Sequence, residues 1–133
     1  MIVADTNLIA YFLIKSGFTP DAHAVYQKDP DWIAPALWRS ELRNVLIQSL
    51  RHGSLSLDEV LSIMSRAEGL MKDSSYLMDS SRVLRLAAGS GCTAYDCEFV
   101  ALALDLGVPL VTEDRRLIEK FKPAVVSMKT FCS

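Results

Sequence analysis

Four acidic residues stand where a chain of this kind can do chemistry. Asp5 closes the apolar run Met1–Ala4, Glu41 lies in "LWRSELRNVL", Asp96 opens "DCEFVALA" and Asp114 follows "PLVT" by one residue. Carboxylates brought together repel: two unit charges ~5 Å apart cost roughly 3 kcal/mol at an effective dielectric of 20. Such a cluster persists when some members stay protonated or when a divalent cation neutralises them. An oxygen-only donor set suits magnesium or manganese rather than zinc or copper. A cation held this way can acidify a water for attack on phosphorus and steady the charge on the leaving oxygen.

Each acid also has a structural reading. Asp5 can serve as a turn or N-cap residue before a helix. Asp96 can complete a Thr-x-x-acid capping box begun by Thr93. Asp114 suits a first helical turn, where the macrodipole favours an acid, and Glu41 can sit in solvent beside Arg39 or Arg43.

The elements that must position these residues alternate in type. A β-type run ends at Asp5, helical patterns follow at about 7–16 and 20–28, and "DWIAP" reads as a brief strand stopped by proline. A helix from about Ala36 to Arg51 carries Leu42, Val45, Leu46 and Leu50 at helical spacing and ends at His52-Gly53. Ser56 and Glu59 form a capping-box signature before a helix with the stripe Leu57, Val60, Leu61 and Met64. "SSYLMD" is predicted as a further strand, followed by a helix over "SSRVLRLAAGSG". A helix from Thr93 stops at Gly107. "VPLVT", "EDRRLIEKF" and "AVVSM" read as strand, helix and last strand.

Strands alternating with helices imply an α/β fold with a mainly parallel central sheet flanked by helices, in one domain over 1–133. Ligands in open sheets of this type bind beyond the carboxyl ends of the strands. Three of the four acids fall at or just past strand ends. Glu41 shares a helical stripe with Leu37, Asn44 and Gln48, offset from the Leu42-Val45-Leu46 face, so it can point along the sheet edge.

Composition narrows the classes. The 133 residues are half hydrophobic, with mean hydropathy +0.21, so a packed core is expected without disulfides or a structural metal. Cys92, Cys97 and Cys132 form no Cys-x-x-Cys pair and His23 and His52 add no zinc-type spacing, which argues against a zinc site. The apolar run Leu8–Ile14 lacks a positive segment before it and is too short to span a bilayer. A cytoplasmic protein without a membrane partner is expected. Net charge is −2, so any nucleic-acid contact needs a local basic patch. Trp32, Trp38, Met64, Leu70 and Met71 read as core.

The opening "MIVADTN", Glu41 in "LWRSELRNVL" and "TAYDCEFVALALDLGVPLVTEDRRL" (93–117) resemble PIN-domain ribonucleases, and among them the small VapC-like toxins of toxin–antitoxin pairs. The resemblance spans essentially the whole chain. It implies that Asp5, Glu41, Asp96 and Asp114 match the family's acidic metal-binding and catalytic quartet, with Thr6, Asn7 and Thr112 in supporting positions. It further implies a Mg2+- or Mn2+-dependent RNA endonuclease, a cognate antitoxin as partner and a homodimer. Cys97 departs from the small residue usual after the aspartate, and Glu113 competes with Asp114 as a ligand.

Arg39, Arg43, Arg115 and Arg116 are the candidate RNA-phosphate contacts, since arginine captures phosphate bidentately. Two other classes fit less well. A receiver-like module that binds magnesium without catalysis needs paired acids after the first strand, where Thr6-Asn7 stands instead. A haloacid-dehalogenase-like phosphatase needs Asp-x-Asp, and position 7 is Asn. An inactive copy of the PIN fold is the remaining non-catalytic reading, and no member of the quartet is missing to support it.

Overall fold

The structure, a computed structural model, describes residues 1–72 and 74–133. The elements run β1 (Ile2–Ala4), α1 (Thr6–Leu13), α2 (Thr19–Lys28), β2 (Trp32–Ile33), α3 (Trp38–Arg51), α4 (Leu57–Met71), α5 (Ser80–Ser90), α6 (Ala94–Leu106), β3 (Leu110–Val111), α7 (Arg115–Lys120), β4 (Val125–Val126) and α8 (Met128–Cys132). The strands form one parallel sheet in the order β2-β1-β3-β4. Val3 is in register with Ile33 on one side and Leu110 on the other, and Val111 with Val126. The strands are short, apolar and almost wholly buried, as expected for a parallel sheet covered on both faces.

That order makes β1 and β3 the central pair, with chain progression running outward in opposite directions from it. A crevice opens at such a switch point beyond the strand ends. Asp5 directly follows β1, and Thr112 directly follows β3.

The long helices start and stop where side-chain chemistry dictates. At α4 both halves of the capping box are made: Glu59 N–H donates to Ser56 Oγ at 3.2 Å and Ser56 N–H to Glu59 Oε1 at 3.0 Å. At α6 the Thr93 hydroxyl accepts from Asp96 N–H at 3.0 Å, and Gly107 closes the helix with φ +65°, a conformation that glycine adopts without a Cβ clash. Cys92 and Cys97 flank this cap at the two positions of a hydrophobic staple, and both are buried. The unusual Cys97 is therefore a packing residue. Phe99, Val100, Ala101, Leu102 and Ala103 bury nearly the whole circumference of α6, which seats it deep in the core.

Several expectations are corrected. "SSYLMD" forms no ladder among the described residues; Tyr76 makes a single isolated bridge to Pro35, because the segment passes the end of β2 on its way to α5. The face of α4 that is buried is Val60, Ile63, Ala67 and Met71, whereas Leu57 and Leu61 are more than half exposed. The last strand stops at Val126, and Ser127 caps α8, with its hydroxyl accepting from Thr130 N–H at 3.1 Å. Trp32 and Trp38 are core residues, and the Trp38 indole donates to the Ser74 carbonyl at 2.8 Å. Among the described residues, no helix is long and apolar enough to cross a membrane.

Candidate active site: a carboxylate cleft at the sheet switch point

The residues that follow β1 and β3 meet the first turn of α3 and the start of α6 in a cleft of about 240 Å³. Its walls are Asp5, Thr6, Asn7, Glu41, Asn44, Val45, Asp96 and Asp114. All four acids expected from the sequence are thus brought together, from four separate elements.

Local folding explains each placement. Asp5 is the N-cap of α1, where its Oδ1 accepts from Thr6 N–H at 2.9 Å. Its Oδ2 accepts from the buried Thr112 hydroxyl at 2.8 Å, and that same Thr112 oxygen accepts from Asp114 N–H at 3.1 Å. One side chain after β3 therefore links two of the acids. Thr6, also buried, donates its hydroxyl to Glu41 Oε1 at 2.7 Å, joining α1 to α3. Asp114 caps α7, with Oδ1 accepting from Arg116 N–H at 2.9 Å and Leu117 N–H at 3.3 Å. Glu113 is committed elsewhere: its Oε2 accepts from Met128 N–H at 2.8 Å, at the start of α8. Of the two adjacent acids, only Asp114 lines the cleft.

The electrostatics are those of a crowded anionic site. Burial pushes the Asp5 carboxyl up to about 6; the Thr112 bond opposes the rise, and the charges of Glu41 and Asp96 add to it. Glu41 is raised by burial, against the pull of Thr6, with further contributions from Asp96 and Glu98. Asp96 is raised by burial and by Asp114, while the Thr93 hydroxyl and the Arg116 guanidinium oppose the shift. Burial is the largest cause of each shift, and the neighbouring carboxylates add to it. Mutually raised carboxyls mark a place where positive charge is wanted.

The donor set fits a hard divalent cation. Every polar side chain lining the cleft offers oxygen, and neither histidine nor cysteine is among them. As the side chains stand, no three acidic, histidine or cysteine residues among the described ones are gathered around a single point. Magnesium does not demand that: it retains several waters and is commonly held through one or two direct carboxylates, the others acting through those waters.

The four candidate arginines separate. Arg116 is exposed and outside the cleft lining, though its charge opposes the rise at Asp96. Arg115 and Arg43 are exposed and take no part in its lining. Arg39 turns the other way: its guanidinium donates to Ser75 Oγ at 2.7 Å and lies 4.9 Å from the centroid of the Trp38 ring. Two polar groups received no functional role from the sequence. Asn44 lines the cleft one helical turn beyond Glu41, as the stripe shared with Glu41 allows. Glu98, two residues after Asp96, adds a negative charge felt at Glu41. Nothing in its spacing distinguishes it from a surface acid.

Residues 2–122 match the family model for the PIN domain. Ribonuclease VapC3 of Pyrobaculum aerophilum (strain ATCC 51768) is 30% identical to this chain over 129 residues, covering 95% of this chain and 98% of its own length. Among solved structures, the crystal structure of PAE2754 from Pyrobaculum aerophilum aligns with a TM-score of 0.76 at 23% identity. The alignment covers 98% of this chain and 92% of that one. It shares the α/β architecture described above.

Proposed function

Because the chain belongs to the PIN-domain family, we propose that its carboxylate cleft is the active site of a Mg2+- or Mn2+-dependent endoribonuclease, the toxin of a toxin–antitoxin pair. The observation that carries this reading is the convergence of Asp5, Glu41, Asp96 and Asp114 in one cleft at the sheet switch point. The likeness to a ribonuclease over nearly the full length of both chains supports RNA as the substrate. A single PIN domain over 1–133, a cognate antitoxin as partner, a homodimer and a cytoplasmic setting belong to the same reading.

In this mechanism Asp5, Glu41 and Asp96 would hold the principal ion. When bound, the cation supplies charge neutralisation at the phosphate and activation of water. Asp114 would orient the attacking water or a second ion, a task its exposed position and the fixed backbone of its helix cap allow. Thr112 and Thr6 act as positioning residues, each holding a carboxylate by a hydroxyl bond at 2.7–2.8 Å so that little reorganisation accompanies reaction. Arg116, two residues beyond Asp114 on α7, meets the RNA backbone and offsets the acidic field that would otherwise repel it.

The test is cleavage of total cellular RNA by the purified protein with magnesium or manganese, mapping new 5′ ends by sequencing beside Asp96→Asn and chelator controls. Discrete cuts absent from both controls are expected. A folded, antitoxin-free protein that makes no cuts would favour a non-catalytic, magnesium-binding PIN module.

A further inference from the structure

The cleft poses a problem for its own substrate. Four carboxylates line it, and RNA is a polyanion whose phosphates must approach them closely. A guanidinium inside the cleft would ion-pair with those carboxylates and compete with the cation for them. An uncharged N–H donor has neither fault. Asn7 and Asn44 are the amide side chains that line the cleft.

Their neighbours are already engaged. Asp5 accepts from Thr6 N–H and Thr112, Glu41 from Thr6, and Asp114 from two helix N–H groups. Asn7 and Asn44 are different: both are exposed and neither amide makes a hydrogen bond to the described residues. Asn7 already has a supporting place beside Thr6, whereas Asn44 sits three residues after Glu41 on the same face of α3 with no role assigned. Nothing in the fold requires an amide there, since on an exposed helix face alanine or lysine supports helix better than asparagine.

Resting on the nuclease reading above, we propose that Asn44 is a substrate-contacting residue whose side-chain N–H donates to a phosphate oxygen of the RNA beside the metal-binding carboxylates. The contact is uniform, present in the bound substrate and retained in the transition state, so it governs KM and leaves kcat alone.

The experiment uses the full chain and an RNA of about 20 nucleotides centred on a cut mapped with the wild type. Asn44→Ala is expected to raise KM about 10-fold or more, the scale of one hydrogen bond to a charged phosphate oxygen, with kcat within about twofold of wild type. Binding of the same RNA is read separately in an Asp96→Asn background, where it is not cut. There Asn44→Ala weakens binding by the same factor without changing the slope of log Kd against log salt, because no cation has been removed. Arg116→Ala, in contrast, lowers that slope by about one. Asn44→Asp is expected to weaken binding more than Asn44→Ala through added repulsion, and Asn44→Gln to recover part of the loss.

Wild-type KM and binding in Asn44→Ala would overturn the proposal, as would a loss of kcat at constant KM, which would make Asn44 a support for Glu41. A wild-type protein that cuts no RNA would sink the nuclease reading itself. One that cuts while Asn44→Ala is indistinguishable from it sinks only the inference about Asn44.

Discussion

Replacing Asp5 by asparagine should strengthen the metal-free fold at neutral pH while abolishing cleavage. The carboxyl is moved from an ordinary value of 3.8 to about 6, chiefly by burial and then by the charges of Glu41 and Asp96. That displacement corresponds to about 3 kcal/mol held against the ionised form, and it belongs to the coupled cluster as a whole. Asparagine removes the charge but keeps only one acceptor oxygen, where Asp5 accepts from both Thr6 N–H and the Thr112 hydroxyl. The lost acceptor costs about 1 kcal/mol, leaving a net gain of about 2 kcal/mol above pH 6.5. The sign follows from proton linkage. Between pH 4 and 6 the native state binds more protons than the unfolded state at this site, so wild-type stability falls as pH rises through that window. By pH 3.5, below both values, Asp5 is mostly neutral in both states, the penalty nearly vanishes, and the variant should trail by about 1 kcal/mol. Urea denaturation of both proteins in chelator from pH 3.5 to 7.5 reads the difference directly. A difference that does not change with pH, or a variant less stable at pH 7.5, would refute the reasoning.

The hydroxyls make sharper local predictions. Thr112→Val leaves Asp5 Oδ2 and Asp114 N–H without their shared partner; a loss of about 2 kcal/mol or more is expected in urea denaturation, together with a fall in kcat. Thr93→Ala removes the cap from α6 and should cost about 1 kcal/mol, measured the same way. Millimolar manganese should raise the melting temperature of the wild type, since an ion bound only by the native state stabilises it; an unchanged melting curve by scanning calorimetry would count against the site.

The parts of the fold that were legible in the sequence are those set by local chemistry. Ser56-x-x-Glu59 specified the α4 start, Thr93 the α6 start and Gly107 its end, and each is realised by the hydrogen bonds or backbone angles expected of it. The misreadings are tertiary. Of the stripe expected on α4, Val60 is buried and Met64 half-buried while Leu57 and Leu61 are exposed; which of two apolar arcs is buried depends on where α1 and α3 lie, which α4 itself does not encode. "SSYLMD" has strand composition yet no strand to pair with beyond one bridge to Pro35. At the site, Asp5 and Asp114 were legible because they follow β1 and β3, whereas Glu41 and Asp96 sit in the first turns of α3 and α6, and α6 follows a helix rather than a strand. Three further features arise only when distant segments meet: Thr112 bridging Asp5 and Asp114, Glu113 turned away to Met128, and Arg39 drawn off to Ser75.

Manganese titration followed by electron paramagnetic resonance tests most directly whether Asp5, Glu41, Asp96 and Asp114 form one cation site. Wild type should bind manganese at this cleft. Asp5→Asn, Glu41→Gln and Asp96→Asn should each weaken that same binding roughly tenfold or more, a scale that even outer-shell partners of metal sites reach, with Asp114→Asn having a smaller effect. Affinity that survives unchanged in all of the first three variants would place the ion elsewhere and contradict the account.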